Sequence, residues 1–166
     1  MTILIEQLNT EDIDAVARLA RPIWFEHYSP IIGESQVEYM LNKFQSQQAI
    51  ASQISEGYQY FQVTFSDKLV GYFSLQERDR ASLFIGKFYL SKNTRGKGIG
   101  RSMLAYIESL ANELSCQSID LTVNKNNPAY EIYLKLGFIN QGSAQFDIGN
   151  GYIMDDYLMS KSLSRL

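Results

Sequence analysis

Arg95, Gly96, Lys97, Gly98, Gly100 and Arg101 combine residue types and spacing that suit one task, the binding of phosphate. Glycines let a backbone approach a ligand with no Cβ in the way. The stretch from Asn93 to Ser102 follows an apolar run, Leu83 to Leu90, that reads as a buried strand. It precedes Met103, Leu104, Ile107, Leu110, Ala111 and Leu114, apolar positions at helical spacing. A helix starting there leaves its first N–H groups unpaired and sets the positive end of its dipole at the turn. The expected guest is a phosphate or pyrophosphate.

Spacing narrows the choice. A dinucleotide fingerprint G-x-G-x-x-G needs glycine where the chain has Arg101, and no Walker A string G-x-x-x-x-G-K-[ST] occurs. What remains is R-x-x-G-x-G, through Arg95, Gly98 and Gly100. A second motif follows the β-branched stretch Ile119 to Val123, in the order Asn126, Ala129, Tyr133, Gly137, Phe138. Asn127 suits a helix N-cap, Pro128 the first helical position and Gly137 the stop. These two motifs, each after a strand and in this order, resemble the acetyl-CoA loop and the N-x-x-A-x-x-x-Y-x-x-x-G-F segment of the GNAT N-acetyltransferase superfamily. The resemblance is firm from about Val70 to Phe138 and looser elsewhere.

The elements that must position these motifs read as follows. Ile3 to Glu6 makes a strand, and Thr10 caps a helix with apolar Ile13, Val16, Ala17 and Ala20. Pro22 kinks or divides that helix before the aromatic segment Trp24 to Tyr28, and a second helical region spans Ser35 to Ser55. Tyr58 to Phe65 and Leu69 to Gln76 form a hairpin around Ser66-Asp67, and Phe138 to Ile148 and Tyr152 to Lys161 another around Gly149-Asn150-Gly151. The resemblance implies an α/β fold over a single domain, residues 1–166. Its central sheet is mixed and mostly antiparallel, with a splayed parallel strand pair and helices on both faces.

Composition agrees. At 166 residues, 45% hydrophobic and 13% aromatic, the chain can bury one full core. No apolar run approaches the ~20 residues of a membrane span, and the N-terminus lacks the pattern of a signal peptide. The single cysteine, Cys116, has no internal disulfide partner and follows the loop helix, a structural rather than a reactive position. A cytoplasmic protein is expected. Net charge is −3, yet from Arg80 to Ile107 every charged residue is basic: Arg80, Lys87, Lys92, Arg95, Lys97 and Arg101. That local field suits a polyphosphate cosubstrate better than nucleic acid, for which aromatic interleaving and a recognised module are missing.

The resemblance implies acetyl-CoA as cosubstrate, no metal, and direct transfer to a primary amine. Backbone groups around Phe88, Tyr89 and Leu90 and the side chain of Asn126 would contact the cofactor arm. Tyr133 would be the general acid that protonates the departing sulfur. Against this stands a packed-core reading, since Ala129, Ile132, Tyr133 and Leu136 share one helical face. The glutamate that family members often place on the strand before the loop is absent, because the positions read Phe84 and Gly86. Glu26, His27 and Glu77 are the alternative base candidates, with His27 titrating in the useful range when unperturbed. The acceptor implied is a small amine or polyamine, with Glu26, Glu34, Glu38, Asp155 and Asp156 as charges that would favour a cation. Three alternatives stay open: a peptide or protein N-terminus as acceptor, a catalytically inert CoA-binding regulator, and an interaction domain using the Tyr58 to Phe65 hairpin. Assembly as a homodimer is also left open.

Overall fold

The structure, a computed structural model, describes residues 2–79 and 81–163, so Arg80 of the basic run lies outside the described residues. The strands are β1 (Ile3–Gln7), β2 (Gln59–Phe65), β3 (Lys68–Arg78), β4 (Ser82–Leu90), β5 (Ser118–Asn124), β6 (Ile139–Gly149) and β7 (Tyr152–Ser162). The helices are α1 (Ile13–Ile32), α2 (Glu34–Met40), α3 (Gln47–Ser55), α4 (Ile99–Glu113) and α5 (Ala129–Lys135). The sheet order is β1-β2-β3-β4-β5-β7-β6, mostly antiparallel, with β4 and β5 as its parallel pair and helices flanking it. This is the α/β fold class that the motifs imply.

The chain forms two compact units, Met1–Gln76 with Lys87–Ile107, and Glu77–Gly86 with Glu108–Leu166. In the first, α1 buries Val16, Ala20, Ile23 and Trp24, close to the helical spacing expected of a core-facing stripe. Two sequence expectations fail here, the second only as to division of the helix. Thr10 opens a 3-10 turn over Thr10–Asp12 instead of capping α1, and Asp12 precedes the helix without a side-chain cap bond. Pro22 does not divide α1, which runs through both Pro22 and Pro30. The region Ser35 to Ser55 is helical but broken, with a π-helical turn at Leu41–Gln45 between α2 and α3. The Ser66-Asp67 hairpin forms as expected. Both residues take positive φ, 51° and 66°, the conformation of a type I′ turn whose twist matches the strands.

Gly71 on β3 carries a constraint no local pattern showed. A Cβ there would lie 2.6 Å from the Tyr89 carbonyl oxygen and 3.2 Å from Leu90 Cδ1. The absence of a side chain therefore allows the end of β4 to pack against β3. Gly71→Ala gains about 0.4–1 kcal/mol by lowering the entropy of the unfolded chain, but overlap with the Tyr89 backbone oxygen costs about 1–3 kcal/mol and wins. The expected result is a lower urea midpoint at unchanged m-value. An equal or higher midpoint would show that β4 yields without cost.

In the second unit, the parallel pairing runs from Ser82↔Ser118 to Ile85↔Leu121. β5 alternates cleanly, burying Ile119, Leu121 and Val123, so Asp120 and Thr122 stand on the other face. The second sequence motif has a plain mechanical content. Asn127 Oδ1 accepts from the Ala129 N–H at 2.9 Å, capping α5 as expected. Gly137 takes φ +99° while its N–H donates to the Leu134 carbonyl and the Phe138 N–H to the Tyr133 carbonyl, a Schellman stop. The same stop ends α4, with Ser115 at φ +61° and the Cys116 N–H donating to Ala111, which leaves Cys116 buried. The last hairpin turns on Asn150 and Gly151, both at positive φ.

Candidate functional site

β4 ends at Leu90, a 3-10 turn covers Lys92–Thr94, and α4 begins at Ile99. Gly98 is the residue before the helix, and its carbonyl accepts the first helical bond from the Ser102 N–H at 3.1 Å. A glycine there brings no side chain to satisfy the first N–H groups of α4. Gly96 and Gly98 have φ of +81° and +78°, and a Cβ built at Gly96, Gly98 or Gly100 meets nothing within 4 Å. The loop is thus an exposed glycine turn whose backbone no neighbouring atom covers, with exposed Lys97 and Arg101 beside it. An uncovered glycine backbone at a helix start, with two basic side chains beside it, suits a polyphosphate, so the residues present fit coenzyme A.

The flanking residues divide differently from the sequence expectation. Arg95 Nη2 donates to the Leu90 carbonyl at 3.1 Å, and Nη1 lies 3.8 Å from Glu26 Oε1 on α1. Glu26 therefore serves as a counter-ion to the loop arginine. His27 is half-buried, its ring edge-on to Tyr28 at 4.8 Å. Tyr89 belongs to an aromatic cluster with Trp24 at 5.4 Å and Tyr72 at 5.4 Å, and Phe88, Tyr89 and Leu90 are all half-buried. Lys87 leaves the basic patch altogether. It is buried, and its Nζ donates to Gln53 Oε1 at 3.0 Å, to the Tyr60 hydroxyl and to the Phe44 carbonyl in the π-helical turn. Burial pushes the Lys87 ammonium down to about 7 and the Tyr60 phenol up.

In the second unit, Asn126 is exposed, and its N–H donates to Asn124 Oδ1 at 2.8 Å in the turn before α5. Tyr133 is half-exposed and meets Phe138 edge-on at 5.6 Å, the contact that accompanies the helix stop. No residue of α5 is buried, and Ile132 is 58% exposed, so the packed-core stripe drawn from spacing does not form. Glu77, near the end of β3, is exposed. Among the five carboxylates singled out for a cationic acceptor, Glu38 pairs with Arg21 at 2.9 Å, Asp155 with Lys125 at 3.0 Å and Glu26 with Arg95. Asp156 is buried on β7, and burial pushes its carboxyl up to about 6 against an opposing hydrogen bond with Thr122.

Sequence reasoning missed Asp120. It is half-buried on β5, accepts from Ser160 Oγ at 2.6 Å and lines a cavity of about 430 Å³. Its place in an alternating strand, polar among buried neighbours, was the available signal. Among the described residues no cluster of three His, Cys, Asp or Glu could hold a metal, and no helix is long and apolar enough to cross a membrane.

Comparison with known proteins agrees with this geometry. Residues 28–154 match the model of an acetyltransferase (GNAT) domain. A probable spermine N(1)-acetyltransferase of Bacillus subtilis subsp. natto is 31% identical over 43% of this chain, and the match spans 49%, about half, of that relative's length. The spermidine N(1)-acetyltransferase of Thermoplasma acidophilum is 24% identical over 83% of this chain and 89% of its own. Among solved structures, the PaiA N-acetyltransferase of Thermoplasma acidophilum in complex with coenzyme A superposes with a TM-score of 0.80. It has 22% identity and covers 98% of this chain and 100% of its own.

Proposed function

The chain belongs to the GNAT acetyltransferases, and from that premise we propose that it moves an acetyl group from acetyl-CoA to the primary amine of a small molecule by direct transfer. It acts as one N-acetyltransferase domain over residues 1–166. The observation that carries this reading is the open glycine turn between β4 and α4, with Gly96 and Gly98 in conformations that side chains disfavour. Spermine and spermidine are the first acceptors to test, because relatives bear those names.

Acetyl-CoA, when bound, would supply a thioester whose carbonyl is open to a nucleophile. The protein's own residues bind and orient. Loop N–H groups from Gly96 to Arg101 would hold the pyrophosphate, and Lys97 and Arg101 would oppose its charge. Arg95 is held at the loop by the Leu90 carbonyl and by Glu26. Phe88, Tyr89 and Leu90 would offer backbone groups, and Asn126 its side chain, to the cofactor arm. Tyr133, half-exposed on a helix with no buried residue, would give its hydroxyl proton to the leaving sulfur.

Purified protein tests the reading. Acetyl-CoA at 100 times its dissociation constant should add about 2.7 kcal/mol of stability, read as a rise in melting temperature, with NADH and ATP doing much less. Acetyl-CoA with a panel of polyamines, monoamines and peptide N-termini should give turnover on a small amine. Equal shifts with all three nucleotides would reduce the loop to a general anion site. Binding without turnover on any amine would make the chain a CoA-binding regulator.

A further inference from the structure

The cavity in the second unit opens along the end of the parallel ladder. Its walls include Phe84 on β4, Phe146 on β6, and Met154 and Leu158 on β7, with Arg78 and Asp120 as its charged members. Arg78 lies over the Phe84 ring, its Cζ 3.6 Å from the centroid, so the guanidinium rests against an apolar wall. Phe84 and Asp120 are register partners. Side chains paired across a parallel ladder stand on one face of the sheet, so the Asp120 carboxylate sits beside the Phe84 ring, one strand over. Ser160, its partner on β7, holds Oδ1 and leaves the second oxygen as an acceptor. An apolar chamber with a small number of convergent polar groups is the usual form of a small-molecule site.

We infer that this cavity takes the acceptor, a primary amine on an apolar or aromatic body, and that Asp120 binds its ammonium and removes the proton. The inference rests on the acetyl-transfer reading and supplies the base that Phe84 does not. One proton passes from the ammonium to Asp120. The neutral nitrogen forms the C–N bond as the C–S bond breaks, and the sulfur leaves with the Tyr133 proton. The second nitrogen proton goes to solvent, from which Tyr133 is restored, and Asp120 then releases its own, so one proton is liberated per turnover. Ser160 is a positioning residue, acting through the carboxylate.

The test uses 2-phenylethylamine and its β,β-difluoro analogue, which keeps the shape but is largely neutral at mildly alkaline pH. Asp120→Asn should lower kcat/KM for 2-phenylethylamine by roughly 100-fold or more while acetyl-CoA affinity holds. The loss should shrink at least tenfold with the difluoro amine, which needs no base, an outcome a structural role would not produce. Ser160→Ala keeps the carboxylate and should cost about tenfold or less. Equal losses for the two amines, or wild-type kcat/KM in Asp120→Asn, would overturn the assignment. If the wild type acetylates no amine, the transfer reading fails by itself, and titration calorimetry with 2-phenylethylamine alone decides the cavity. Binding to wild type that weakens at least tenfold in Asp120→Asn sustains it, and absent or equal binding overturns it.

Discussion

Tyr133→Phe should lower kcat by roughly 100-fold or more while acetyl-CoA affinity stays close to that of the wild type, the scale expected of a lost general acid. The substitution keeps the ring, and with it the edge-on contact to Phe138 at 5.6 Å that closes the α5 stop. The Schellman bonds use the Tyr133 main-chain carbonyl, which the change does not touch. Stability should therefore fall by about 1 kcal/mol at most, the net worth of a typical hydroxyl hydrogen bond. A thermal melt beside steady-state kinetics separates the two effects. An unchanged kcat, under conditions where chemistry limits the rate, would remove the acid role.

Gly98→Val should reduce acetyl-CoA affinity by at least 100-fold, read by titration calorimetry, with the fold retained. A Cβ at Gly98 meets no protein atom within 4 Å, so the new side chain projects into the open space proposed for the pyrophosphate. Its cost to the protein itself is confined to a β-branched residue at φ +78°, about 1–3 kcal/mol of local strain. That strain falls on an exposed loop, outside the core packing of α4. Binding at wild-type strength would sink the assignment of R-x-x-G-x-G as the cofactor loop.

The features legible from the sequence were those that depend on neighbours along the chain. Positive φ at the loop glycines, the Asn127 cap, the Gly137 stop and the Asn150-Gly151 turn each follow from the conformational range of one or two residues. Alternation placed the strands to within a few residues for the same reason. Where local rules competed with packing, they lost. Pro22 sits inside a continuous α1, because a helix anchored by buried residues on both sides of a proline can tolerate a missing hydrogen bond. α5 has the spacing of a buried stripe yet buries nothing, since spacing marks a face without saying what covers it.

Charge was legible least. Lys87 stood among the basic loop residues in sequence, but β4 alternation turns it inward onto Tyr60, Gln53 and the Phe44 carbonyl. Glu26, a base candidate by type, meets Arg95, which is 69 positions further along the chain. Asp120 faces Phe84 only through the register of a parallel ladder, whose strands are joined by a loop and a helix rather than a tight turn. By itself the sequence determined the class of fold, through the two motifs and the resemblance they carry, and the glycine turn between β4 and α4, which is written in local geometry. The tertiary structure alone decided which charges are spent on one another and which face a cavity, because Coulomb pairing and burial depend on distance in space and not on separation along the chain.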